Sequence, residues 1–151
     1  MAIASEQINH WLKEIDLALS LNNKGKIFLS TESGVDLIIA SVDDSGHILI
    51  NSDIRDIPAV NKEHLFARAL ELNLYQNKTI GGSISVDPIS NKICLSFSQK
   101  IELLDAVLFQ NTLQNIIALT NDLKRELSDL DTSADAFDAP NSANSPNALF
   151  V

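Results

Sequence analysis

The chain of 151 residues has a single cysteine, Cys94, so no intramolecular disulfide can form. The lack of a disulfide framework fits a reducing compartment, and the cytoplasm is the expected location. Aromatic side chains make up only 5% of the residues, six Phe with one Trp and one Tyr. A core must therefore be built from Leu, Ile, Val and Ala, which suits helices packed on a sheet. No apolar run approaches the roughly 18 residues that a membrane-spanning helix needs. The N-terminal stretch MAIASEQINHWLKEIDLALS interrupts its apolar pattern with charged and polar residues, where a signal peptide needs a continuous apolar stretch after a basic start. Membrane insertion is not expected. Positive charge is also scarce: 11 Lys and Arg stand against 20 Asp and Glu, a formal charge of -9. The bases are scattered from Lys13 to Arg125, and without a basic stripe to neutralise phosphates nucleic-acid binding is disfavoured.

Motifs for chemistry are missing as well. His10, His47 and His64 fall on three different predicted elements, none at a metal-ligand spacing from another His or from Cys94, so no metal site is expected. Cys94 lies among serines on the polar side of a predicted strand. Neither a neighbouring His nor a helix N-terminus is there to lower its pKa, so it reads as a small packing residue. Gly81-Gly82 has neither the GxxxxGK[ST] pattern nor the GxGxxG spacing, and reads as a backbone device for a bend or bulge. The carboxylates fall mainly on polar faces and turns. No catalytic residue and no cofactor is expected.

What is present is periodicity. Hydrophobic residues make up 45% of the chain, enough for one core and hence one domain. After Ser5, a good N-cap, Ile8, Trp11, Leu12, Ile15 and Leu19 recur at helical steps, predicting a helix over Ser5 to Leu21 that Asn22, Asn23 and Gly25 stop. The segments Lys26 to Thr31, Val35 to Val42 and His47 to Asn51, separated by Ser-Gly and Asp-Asp-Ser-Gly turn signals, predict an antiparallel meander. Past Pro58, Asn61 can cap a second helix with Leu65, Phe66, Ala69, Leu70 and Leu74 on one face, ending near Gln76 to Lys78. Ile84 and Val86, then Ile93, Leu95 and Phe97, alternate with small polar residues on either side of a turn at Pro88 to Asn91, which predicts a hairpin. From about Leu103 to Leu127 a long helical pattern returns. The predicted fold is α+β, in the order αβββαββα, with three helices on a twisted, mainly antiparallel sheet. Residues 1–127 form the domain. Residues 128–151, rich in Ser, Asp, Asn, Ala and Pro and without periodicity, are expected to be a disordered acidic tail.

The segment from Leu70 to Leu127 resembles the signature half of the class I chaperones of type III secretion, the Tir-chaperone or CesT-like family. In that family a helix ending in an Asn-Leu-like step leads into a Gly-containing strand, a turn, an apolar strand and a Leu-Asp pair that opens the last helix. Here those are Asn73-Leu74, Gly81-Gly82, Ile84 to Asp87, Ile93 to Phe97, and Leu104-Asp105 followed by Phe109. The sequence departs from the family late in the last helix, where a common aromatic is replaced by the stretch NDLKREL. The resemblance implies a homodimeric secretion-chaperone-like fold and a protein that is not an enzyme. It implies binding of the N-terminal region of one or more effector proteins, which are kept soluble and secretion-competent and passed to the export apparatus, with the secretion ATPase as a further partner.

The strands carry a hint of their own. Val35, Leu37 and Ile39 occupy one face of the second strand and Ile38, Ala40 and Val42 the other, while Phe28 opposes Ile27 and Leu29 in the first. Two apolar faces imply a second covering layer, which a partner chain could supply. The residues chosen for an effector groove are Ile8, Leu12 and Ile15 on the first helix, with Ile27, Leu29, Leu37, Ile39, Ile48 and Ile50 on the strands. Those chosen for the dimer contact are Phe66, Leu70 and Leu74, with Ile84 and Val86 beside them. Two other classes fit the same composition. One is a small α/β enzyme or ligand-binding domain whose site is assembled from His10, His64 and Cys94, and the other is a structural assembly subunit.

Overall fold

Ile8, Trp11 and Leu12 recur at three- and one-residue steps, and this stripe is buried on one side of the first helix. In the computed structural model, which describes residues 2–42, 45–74 and 78–128 with the side chains of residues 2 and 3 left aside, that helix is α1, Ala2–Ile15. It begins before Ser5, so Ser5 is not its cap, and it stops short of the expected Leu21. The reason is local. The Asp16 carboxylate accepts the Ala18 N–H at 2.9 Å and the Asp16 carbonyl accepts the Leu19 N–H at 3.0 Å, a tight turn that competes with another helical turn. The Leu21 N–H then donates to Asn9 Oδ1 at 2.7 Å, folding the chain back along α1.

Three strands follow, β1 (Lys26–Ser30), β2 (Asp36–Val42) and β3 (His47–Asp56). They form the expected meander, with Phe28 opposite Ile38 and Ile39 opposite Ile50. β3 outruns the expected Asn51 because its second half, Ser52 to Asp56, is mostly polar yet keeps the alternation, with Ser52 and Ile54 buried. A register shift between Asp53 and Arg55 accommodates Ile54. α2 (Lys62–Asn73), β4 (Ser83–Asp87), β5 (Lys92–Lys100) and α3 (Ala106–Ser128) complete the order αβββαββα. All sheet neighbours are antiparallel, in the order β1-β2-β3-β5-β4.

The helix boundaries differ in detail from the sequence reading. Asn61 precedes α2 with a left-handed backbone (φ 58°) and makes no side-chain cap, and α2 ends at Asn73, short of Gln76. The start of α3 has a clear cap: Asp105 Oδ1 accepts the Leu108 N–H at 2.8 Å and the Asp105 carbonyl accepts that of Phe109 at 2.8 Å. Ile101–Leu103 forms only a 3-10 turn before it. The tail expected after Leu127 lies, from residue 129 onward, outside the described residues.

All three helices pack on one face of the sheet. α3 buries Phe109, Leu113, Ile116, Thr120, Leu123 and Leu127 there, and the Trp11 and Phe109 rings meet at 5.3 Å between centroids. Two polar side chains within this core satisfy each other. Thr120 Oγ1 donates to the Ile116 carbonyl at 2.7 Å, so the Ser52 hydroxyl, 2.6 Å away, donates its own proton to Thr120. Gly82 is used for close approach. A Cβ there would sit 3.1 Å from Leu95 Cδ1 and from the Ser96 carbonyl oxygen, while Gly81 holds φ +82° in the preceding turn.

Candidate functional site

Because the strand period is two, each strand presents one set of side chains to the helices and the other to the opposite face of the sheet. On the helix side lie Ile27 and Leu29, Leu37 and Ile39, Ile48 and Ile50, Leu95 and Phe97, and Ile84. Six of the nine residues chosen for an effector groove, Ile8, Leu12, Leu37, Ile39, Ile48 and Ile50, are thus enclosed between sheet and helices. They fill the core and cannot line a surface groove in this conformation. Ile27 and Leu29 are half-buried at the β1 edge, and Ile15 at the end of α1 is 46% exposed. Both faces of β2 are apolar, and the helices cover the one that carries Leu37 and Ile39.

The other phase forms a face that no helix among the described residues covers, and its register makes it a grid. One row is Lys26, Ala40, Leu49 and Ser98; the next is Phe28, Ile38, Asn51, Ser96 and Ser83. In the third row Ser30 pairs with Asp36, and Asp53 with Cys94 and then Ser85. Asp36 and Asp53 stand one step beyond the Leu37–Ser52 pair and so are opposed across the strands. The apolar half of the grid is on β1 to β3, where Phe28 is 68% exposed and Ile38 and Leu49 are half-buried. The half on β4 and β5 is small and polar, tied by a Ser85–Ser96 hydroxyl pair at 2.9 Å and a bond from Ser96 to Asn51 Oδ1. At one end a cleft of about 460 Å³ is lined by Phe28, Ile38, Asp36, Asp53, Asp87 and Lys92, among others.

Charge in this cleft is unevenly matched. Lys92 Nζ lies 2.9 Å from Asp53 Oδ2, and the bond to Asp53, with the field of Asp53, Asp56 and Asp36, raises the ammonium pKa. Asp87 is held below the usual carboxylate range by the Ser90 hydroxyl and the Ile89 N–H. Cys94 is buried in this face, and burial first, then the adjacent Asp53 carboxylate, pushes its thiol up to about 12. The S–H points to Asp53 Oδ1 at 3.6 Å. Cys94 is therefore a neutral thiol at any physiological pH. A maleimide at pH 8 is expected to leave it unmodified in the folded protein and to label it fully in guanidinium; rapid labelling of the native chain would contradict this environment.

Both sheet edges are occupied in part by an asparagine. On β1, the Asn22 N–H donates to the Lys26 carbonyl at 2.8 Å and Asn22 Oδ1 accepts the Lys26 N–H at 3.0 Å. On β4, Asn73 accepts the Ile84 N–H at 2.7 Å and donates to its carbonyl at 3.0 Å. Each amide stands in for a neighbouring strand, one way of blunting an edge. On β1 the cover ends at Lys26. The bonds from Ser41 to Gly25 and from Thr31 to Val35 set the alternation, which turns the Phe28 backbone outward along the edge.

The residues chosen for a dimer contact divide. Ile84 is buried in the core and Phe66 is half-buried. Leu70, Leu74 and Val86 are 69%, 60% and 48% exposed, because α2 turns Leu65, Ala69 and Leu72 to the core instead. His10, His64 and Cys94 are not brought together: the first two are on α1 and α2, and Cys94 faces away from the helices. His10 pairs with Glu14 at 3.2 Å. Among the described residues no group of three or more His, Cys, Asp or Glu could hold a metal ion, and no helix is long and apolar enough to cross a membrane.

Comparison with known proteins bears on this architecture. The fold is similar to a chain in the ExsC–ExsE complex, with 20% identity and a TM-score of 0.71 over 82% of this chain and 95% of that one. It is also similar to a chain in the HopA1–SchA chaperone–effector complex, with 16% identity and a TM-score of 0.60 over 83% and 93% of the two chains. A third likeness is to the heterodimeric ExoU–SpcU complex from the type III secretion system of Pseudomonas aeruginosa, with 15% identity and a TM-score of 0.61 over 78% and 95%. No significant match is found among curated protein sequences. The family model of the Tir chaperone proteins matches residues 6–124, from within α1 to the last turns of α3, and on that match the chain belongs to the Tir chaperone protein (CesT) family.

Proposed function

We propose that this protein is a type III secretion chaperone that binds the N-terminal region of one or more effector proteins, keeps them soluble and secretion-competent, and assists their delivery to the export apparatus and its ATPase. The observation that carries the reading is the family match over residues 6–124. The structure supplies surfaces suited to the task, an uncovered apolar sheet face around Phe28, Ile38 and Leu49 and an outward-turned β1 backbone beside it. An extended polypeptide can use both, with main-chain bonds for affinity and side-chain seats for selectivity. Binding of this kind needs no catalysis and no cofactor. The chaperone works as a homodimer in the bacterial cytoplasm, joined through the exposed side of α2 and the β4 edge at Phe66, Leu70, Leu74 and Val86. Of the nine groove residues, Ile15, Ile27 and Leu29 remain accessible, the latter two along the β1 edge.

The test is capture of partners by the tagged full chain from the bacterium that encodes it. One or a few secreted proteins should copurify, and removal of their N-terminal regions should abolish binding. Phe28→Asp should keep the melting temperature within a few degrees, since the side chain is largely exposed, yet lose at least ten-fold in capture. Unchanged capture by a folded Phe28→Asp chain would move the binding surface elsewhere. Wild-type chain that retains no secreted protein would refute the function.

A further inference from the structure

Like charges directly opposite each other on neighbouring strands are destabilising, yet Asp36 and Asp53 stand opposed on β2 and β3 at the cleft end of the uncovered face. Lys92 answers only one of them by direct contact, at 2.9 Å from Asp53, whereas Asp36 has the neutral hydroxyl of Ser30. With Asp87 on the same cleft, three carboxylates face one ammonium, on a chain whose formal charge is already -9. The nearest other cation on this face, Lys26, is two rows away, beside Ala40. The acidic row adjoins the apolar one: Phe28 and Ile38 are the next pair on this face from Ser30 and Asp36.

From this juxtaposition we infer that the cleft selects an extended effector segment in which an apolar side chain and a Lys or Arg lie two residues apart, the apolar group seated on Phe28 and Ile38 and the cation beside Asp36. The spacing follows from strand geometry. Residues 36 and 38 lie about 7 Å apart on one face of β2, and same-side residues of an extended ligand repeat at that distance. Charge complementarity identifies the occupant. A second copy of this chain would bring its own carboxylates to the same face, whereas a cationic segment relieves the Asp36–Asp53 opposition when it binds. The inference rests on the chaperone reading and adds to it the chemical class of the segment.

The probes are two synthetic twelve-residue peptides in a Ser/Thr background, one with Leu-Ser-Arg at its centre and the other with Leu-Ser-Glu, titrated into the isotope-labelled full chain and followed by amide chemical shifts. The Arg peptide should perturb Phe28, Asp36, Ile38 and Asp53, bind at least ten-fold more tightly than the Glu peptide, and weaken as salt is raised. Asp36→Asn should reduce its affinity several-fold with melting unchanged or slightly raised, since one of the two opposed charges is gone. Equal binding of the two peptides, perturbation centred away from this face, no binding of either, or protein-concentration-dependent shifts on this face without peptide would each overturn the inference. Capture from the native cell separates its failure from that of the function. Secreted proteins retained by Asp36→Asn as well as by wild type and lost by Phe28→Asp leave the chaperone reading standing without the charge rule. If wild type retains none, the chaperone reading itself fails.

Discussion

Ile39→Asp is expected to abolish cooperative folding. Ile39 is fully buried, set between Ile27 on β1 and Ile50 on β3 on the helix-covered side of the sheet. Its cross-strand neighbours are aliphatic and offer neither a donor nor a cation. A carboxylate at this position must stay dehydrated or take up a proton, at a cost of roughly several kcal/mol, to which the lost packing of a buried Ile adds. A domain of this size is stable by only about 5–15 kcal/mol in total. Circular dichroism should show a broad, non-cooperative melt and size exclusion an expanded or aggregated species, whereas Ile39→Val should cost about 1 kcal/mol and melt normally. A cooperatively folded Ile39→Asp chain would contradict the core described above. Loss of effector capture in this variant, or in Leu37→Asp, would report unfolding and not a lost groove.

The second large effect is on assembly. Leu70→Glu combined with Leu74→Glu should convert a particle of about twice 16.5 kDa into a single chain in light scattering. Both side chains are exposed in one chain, so burying them between two copies is what would stabilise the dimer, and two carboxylates per copy at that surface would repel. The core side of α2, formed by Leu65, Ala69 and Leu72, is untouched, so the melt should remain cooperative. A variant that keeps the mass of two chains would exclude this face of α2 as the contact, and a wild-type chain that is monomeric at all concentrations would exclude the homodimer.

Reading the sequence succeeded where local signals are strong. The turns between strands carry Gly and Asp, and the helical stretches carry three- and four-residue steps, so the order of elements emerges without tertiary information. It failed at boundaries set by side-chain competition. The Asp16 turn ends α1 early, and the bonds from Asn73 to Ile84 could not be inferred from an Asn-Leu step. The polar stretch Ser52 to Asp56 hid half of β3 because Ser52 is satisfied by Thr120, which lies 68 positions away. On α2, Leu72 joins Leu65 and Ala69 in the core although it lies outside the face read from the pattern, while Leu70 and Leu74 stay exposed.

The amino-acid sequence by itself determined the α+β fold in the order αβββαββα and a second strand that is apolar on both faces. It could not determine which face the helices cover. Periodicity fixes the alternation of side chains along a strand but not its phase relative to distant elements, and only the packing of α1 and α3 on Leu37, Ile39, Ile48 and Ile50 assigned those residues to the core. The same packing left Phe28, Ile38 and Leu49 uncovered and brought Asp36 opposite Asp53. Cross-strand register decides such a juxtaposition, since it depends on how three segments align and not on any one of them.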